Sequence, residues 1–227
     1  MAGSKYDVLK DKKTELIRKA LDGSAFIASV DAPTIEGLTD PTDSLLKPLP
    51  STGTPAMPWG DLGWLSGDGA AFSRDVSSSD ITSWGSVSPT RSDVTADSST
   101  LTVACQETNI RTIGLSTGMD MSGISPTAGS GEVMVKKPSR PSSRFYRVLS
   151  VAVDQGDGGE IYVARYMPRA KVTGFSEQSF GGGDDPIMWG VTFTGYEDSE
   201  EGFSEAWIFG GPGWKALLDE MGFPPAG

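Results

Sequence analysis

Histidine is missing from this 227-residue chain, and cysteine occurs once. The first absence removes Ser-His-Asp and Cys-His catalytic groups, imidazole metal ligands and the usual charge switch near neutral pH. The second leaves Cys105 unable to close an intrachain disulfide or join a thiolate cluster, so it reads as a small core residue. Positive charge is scarce as well: 19 Lys and Arg stand against 30 Asp and Glu, for a formal net charge of −11. No uniformly basic face exists to release counterions along a duplex, and tight sequence-specific DNA binding is not expected. Long apolar runs are also lacking. The longest, Ala25 to Val30, is too short to span a bilayer, and charges are spread through the N-terminal residues, so neither a signal peptide nor a membrane anchor is expected. Synthesis in a reducing cytoplasm follows, with release by cell lysis still open.

What is abundant is Gly (29) and Pro (15), together above their average share of roughly 12%. This favours turns over long helices, and the length suits one domain with long arms or loops. Residues 1–24 read as a helical segment, because Val8, Leu9, Leu16, Ile17, Ala20 and Leu21 fall on a rough helical stripe that Asp22-Gly23 ends. A single domain over 25–227 follows. It includes an arm, 31–58, whose six prolines predict extended chain outside any central sheet. Ile35, Leu38, Leu45, Leu46 and Leu49 in this arm have no periodic partners, which points to docking on something, and with Trp59 and Trp64 they are the subunit-interface candidates.

From Trp64 onward the period changes to two. Leu101, Val103 and Cys105 alternate with Thr100, Thr102, Ala104 and Gln106, the pattern of a half-buried antiparallel strand. DITSWGSV and PTRSDVTA before it read as two strands or one long bent hairpin. Asn109 can cap a short helix over IRTIGLST. RFYRVLSVAVD and EIYVARYMP flank the turn QGDGG as a hairpin, bulky on both faces and therefore covered on both sides. AKVTGF, IMWGVTFTGY and WIFG are further strands. Pro212 to Gly222 reads as a C-terminal helix. The fold class is mostly β.

No active site emerges. Asp154, Asp157 and Glu160 miss the alternate-residue spacing of a calcium loop. GGPGWK lacks the interval and the Ser/Thr of a phosphate loop. The acid pairs Glu200-Glu201 and Asp184-Asp185 read as solvated loop residues and not as a glycosidase pair. Core packing accounts for most tryptophans, with Trp84, Trp189 and Trp207 in strands and Trp214 on a helix face. No metal, cofactor or enzymatic activity is expected. An acidic, β-rich, arm-bearing chain suits an assembly subunit, since a heterologous contact repeated by rotation closes a ring and repeated with translation makes a tube.

The runs DLGWLSGDGAAFSRDVSSSDITSWGSVSPTRSDVT and TLTVACQETN, followed by RVLSVAVDQGDGGEIYVARYMPRAKVTG and GVTFTGYEDSEEGFSEAWIFGGPGWKALL, resemble the major tail tube proteins of long-tailed, non-contractile (siphovirus-type) bacteriophages, especially those of actinobacterial hosts. The resemblance covers about Ala25 to Gly222. It implies a β-sandwich or barrel subunit with a flanking short helix, N-terminal arm and C-terminal helix. It also implies homo-hexameric rings stacked into the virion tail tube, whose lumen holds the tape-measure protein and then passes double-stranded DNA, with terminator and distal tail proteins at the tube ends. Strands of the kind between Asp80 and Glu107 line the tube in that family, which makes Asp93, Thr100, Thr102 and Gln106 lumen candidates. The surplus acid has two readings, repulsion of passing phosphates within a Debye length of roughly 8 to 10 Å or solubility before assembly. A decoration or head-completion subunit, or a carbohydrate-binding β-sandwich module using Trp59 or Trp64, would share this composition.

Overall fold

Alternation of apolar and polar side chains produces eight strands, all paired antiparallel, within the described residues (6–137, 139, 143–183 and 186–224) of this computed structural model. In chain order they are β1 (Asp22–Ser29), β2 (Gly60–Asp61), β3 (Leu65–Ile81), β4 (Arg91–Cys105), β5 (Tyr146–Gly156), β6 (Gly159–Phe175), β7 (Trp189–Gly195) and β8 (Ala206–Gly210). Their order in the sheet is β2-β1-β5-β6-β7-β4-β3, and β8 pairs with β6. The mostly β class expected from the sequence is the one found.

Strand β6 turns this sheet into a sandwich. AKVTGF does not form a strand of its own, because β6 continues through Pro168 for 17 residues. Tyr162 to Tyr166 pair with β8, whereas Ala170 to Phe175 pair with β7. Pro168, which has no N–H, stands between the two pairings, where neither partner needs its proton. One layer is therefore β2-β1-β5 with β8 and the first half of β6, and the other is β7-β4-β3 with its second half. Between them pack Ala25 and Ile27 of β1, Val148 of β5, Met167 of β6, Leu101 and Val103 of β4, and Val191 and Phe193 of β7. The opposite face of β5 and β6 carries a second core, Leu149, Val151, Tyr162, Ala164 and Tyr166. Covered on both sides as expected, Tyr146 to Val151 are all buried.

Three local expectations need adjusting. Of the helix expected over 1–24, residues 1–5 lie outside the described residues and 6–24 are not one helix: α1 is a single turn (Tyr6–Leu9), a 3-10 turn follows at Thr14–Leu16, and Asp22 already begins β1. Ile17 and Leu21 stay largely exposed, so the apolar stripe has no surface to bury against, while Asp22 to Ser29 gain a continuous ladder with β5. The hairpin of DITSWGSV and PTRSDVTA is single and long, β3 with β4, and its turn occupies Thr82 to Thr90. The last helix, α3 (Pro212–Ala216), is shorter than expected and continues as turns to Gly222. The capped helix forms as α2 (Ile110–Thr117). Asn109 Oδ1 accepts from the N–H groups of Arg111 and Thr112 at 2.9 and 3.0 Å, and Gly118 ends it at φ 68°.

Candidate assembly surfaces

The outer face of the second layer is paved with hydroxyls. Thr100 and Thr102 alternate with buried Leu101 and Val103. They stand opposite Ser73 and Ala71 of β3 on one side and Thr194 and Thr192 of β7 on the other. The Thr102 and Thr192 hydroxyls lie 2.9 Å apart, and those of Thr173 and Thr194 are 2.7 Å apart. Asp93 reaches the same face by an irregularity, since the register passes from Ser77 opposite Ala96 to Ser78 opposite Val94 and leaves Thr95 as one extra residue. This bulge reverses the parity, so Asp93, opposite Ser79, joins Thr100 and Thr102. Of the four lumen candidates these three share a face. Gln106 lies past the end of β4, half-buried, and its N–H donates to the Trp64 carbonyl at 2.8 Å.

Beyond Phe72 and Ser98 the β3–β4 hairpin leaves the body. Ser73 to Asp97 are exposed throughout, among them Val76, Ile81, Val87, Val94 and Trp84. Trp84 is therefore not the core residue its setting predicted; it stands fully exposed in the turn. One ion pair crosses the ribbon, Arg74 of β3 to Asp97 of β4 (Nε to Oδ1 2.8 Å), and a second, Arg91 to Asp93 (2.6 Å), lies along β4. The Arg74 guanidinium beside Asp97 holds that carboxyl below its ordinary range.

The arm is neither extended nor free. It leaves β1 at Ser29 and returns at Met57, where Ser29 N–H and Oγ–H both donate to the Met57 carbonyl (2.9 and 3.0 Å). Asp31 accepts from the Ala56 N–H at 2.9 Å, and the Ser29 hydroxyl and that N–H keep its carboxyl acidic. Leu38 and Trp59 are buried in the second core, with Ile35 and Leu49 packed against it. The Trp59 indole N–H donates to the Pro33 carbonyl at 2.9 Å. Arg147, 5% exposed, fastens the arm from beneath: its Nε donates to the Ala32 carbonyl (2.8 Å) and its Nη1 to the Pro168 carbonyl (3.2 Å), with Asp198 at 3.8 Å. The apolar residues of the arm thus find their docking partner in their own subunit, and only Leu45 (44% exposed) and Leu46 (41%) point outward, in a small turn closed by the Thr39–Leu46 bridge. Trp64, 74% exposed, remains an open surface residue.

The chemistry weighed in the sequence dissolves into structural roles. Asp154 accepts from the Lys19 N–H, Asp157 sits in the β5–β6 turn, and Glu160 accepts from the Tyr162 hydroxyl at 2.5 Å. Burial, with that carboxylate beside it, pushes the Tyr162 phenol up to about 12. In GGPGWK the glycines allow close approach, because a Cβ at Gly213 would collide with the Gly159 carbonyl. The Asp184-Asp185 pair lies outside the described residues. Glu200 and Glu201 form a turn whose N–H groups both point to Asp198 Oδ1. Burial pushes the Cys105 thiol up to about 11, as befits an inert core residue.

With this geometry in hand, the chain matches the model of one protein family, described as phage tail tube protein, over residues 12–210. Against curated proteins it finds no match.

Proposed function

Because the chain belongs to the phage tail tube protein family, a structural component of the virion tail, we propose that six copies close into a ring and that rings stack into the tube of a siphovirus-type phage of an actinobacterial host. The tube encloses the tape-measure protein before ejection, conducts double-stranded DNA during it, and is capped by terminator and distal tail proteins. Residues 25–227 work as one unit in this assembly.

The observation that carries this reading is the hydroxyl face. A sandwich subunit in a tube must turn one layer toward the bore, and a bore that DNA crosses at speed must neither bind phosphate nor present apolar surface. Ser73, Thr100, Thr102, Thr192, Thr194 and Thr173 make such a wall, wet and weakly interacting, with Asp75 adding phosphate repulsion and Asp93 balanced by its ion pair with Arg91. The free outer edge of β3 offers a row of unpaired backbone groups for a neighbour to continue the sheet around the bore. Electron microscopy of the purified protein is the test. Hollow tubes with six-fold end views are expected, with the threonine face on the bore. A capsid-bound or purely monomeric protein, or a map with these threonines on the outer wall, overturns the assignment.

A further inference from the structure

One apolar cavity of the fold has no role in the tube reading. It opens where three passages of the chain meet, the return of the arm at Ala56 to Pro58, helix α2, and the entry to β5 at Arg144 to Tyr146. Its volume is about 490 Å³, inside the roughly 300 to 1,000 Å³ of small-molecule sites. Met57, Met119 and Met121 line it together with Ile110 and Leu115. Unbranched thioether side chains refill irregular space around a guest, so an apolar wall built of them suits a flexible hydrocarbon chain.

Two polar groups on this wall are donors that the protein leaves without a good acceptor. Tyr146 is 7% exposed with its ring in the core between the layers, and its hydroxyl has no hydrogen-bond partner among the described residues. A phenol in water always finds an acceptor, so burial here leaves one bond unmade. Burial also pushes that phenol above its ordinary value, which keeps the proton on the oxygen at neutral pH. Arg111, in the first turn of α2, joins no ion pair among the described residues, and its Nη2 lies 3.5 Å from the Pro58 carbonyl, a long contact. The guanidinium lies against Gly60, where any Cβ would collide with it, and its Nε is buried without an acceptor. Asp120, a carboxylate on the same wall, is paired with Arg144 at 2.6 Å and is not the counterion of Arg111. An apolar body bearing an anionic acceptor would complete this site.

We propose that this cavity binds a single-chain anionic amphiphile, a fatty-acid carboxylate, whose chain lies among Met57, Met119 and Met121 and whose oxygens accept from Arg111 and the Tyr146 hydroxyl. The sign of the head is what distinguishes a built site from general greasiness. A protein of net charge −11 repels anions and attracts cationic surfactants, so a preference for the anionic head has to arise in the site itself. A guest between α2 and the returning arm also holds the two together, and binding to the folded state alone raises stability. None of this depends on how copies assemble.

The test is titration calorimetry of the full chain with straight-chain carboxylates from hexanoate to dodecanoate, each below its micelle concentration. Affinity is expected to rise about fourfold per added carbon, the factor of one buried methylene, and to level off once the cavity is full. Decanol and decyltrimethylammonium are expected to bind about tenfold more weakly than decanoate, and Arg111→Gln is expected to weaken decanoate by a similar factor while leaving decanol unchanged. Tyr146→Phe is expected to weaken decanoate about threefold. Met119→Trp fills the space from a loop and is expected to abolish binding of all three; Ile110→Trp, from the exposed start of α2, serves as a second filling variant, and circular dichroism establishes that each variant is folded. The thermal midpoint is expected to rise with decanoate in the parent and to stay fixed in a filled variant. No saturable binding, a gain per carbon that never levels off, equal or tighter binding of the cationic amphiphile, or decanoate binding unmoved by Arg111→Gln or by both filling variants would each overturn the proposal.

Discussion

Arg147 joins three parts of the fold from a buried position. It is buried with Asp198, and its guanidinium ties the arm, through Ala32, to the point where β6 changes partners, through Pro168. Arg147→Met would strand a buried carboxylate and two carbonyls, a loss expected to cost about 3 to 5 kcal/mol by denaturant unfolding. Arg147→Met with Asp198→Asn is expected to recover part of it, since the uncompensated charge is then gone; equal stability of the single and double variants would show that the pair does not act together. Cys105 offers a simpler check. With its thiol pushed up to about 11 and no exposure, it should resist thiol reagents at pH 8 until the chain unfolds, whereas an accessible thiol would react at once. That cysteine was legible from the alternation in LTVAC. Arg147 was not, because a charged residue in an apolar strand shows nothing of the carbonyls that will surround it.

Among the elements, those with a local signal were readable: the strand ending at Cys105, the capped helix after Asn109 and the Asp157-Gly158 hairpin all rest on residues a few positions apart. Those decided by partners far along the chain were not. Pro168 argued for a break between strands, yet β6 passes through it because two different neighbours meet there. The parity of Asp93 is set by the bulge at Thr95, which no periodicity announces. The arm shows both sides, since its apolar residues were visible and their destination was not. Its two classes of leucine should now separate by experiment. Leu38→Ala, in the second core, is expected to lower stability by about 2 to 4 kcal/mol, while Leu45→Ala with Leu46→Ala, both outward, is expected to leave the thermal midpoint of the monomer nearly unchanged. For the same reason, deleting 34–49 is expected to unfold the subunit by uncovering Tyr166 and Leu149. A stable truncated monomer would return the arm to the role of a free interface strap.

At the scale of the whole molecule, the surplus of acid matters through where it stands. A net charge of −11 suits either subunit solubility or phosphate repulsion, and in a tube the decisive charges are those on the layer that faces the bore. The hydroxyl face holds Thr100 and Thr102 at its centre, partly exposed and on a layer whose apolar side is already packed, so Thr100→Lys with Thr102→Lys is expected to fold and assemble. Each lysine then offers one contact to a passing phosphate, and each such contact adds about 0.9 to the dependence of log affinity on log salt. Every copy in the proposed ring would contribute, so the cations would act together on the duplex. Virions carrying the pair are expected to eject their genomes more slowly than the parent in low salt and to approach parental rates as salt rises. Ser51→Lys, on the exposed arm, adds charge without placing it on the proposed bore and is expected to change nothing. Parental kinetics at every salt concentration in the double variant, or equal slowing by Ser51→Lys, would move the bore to another face.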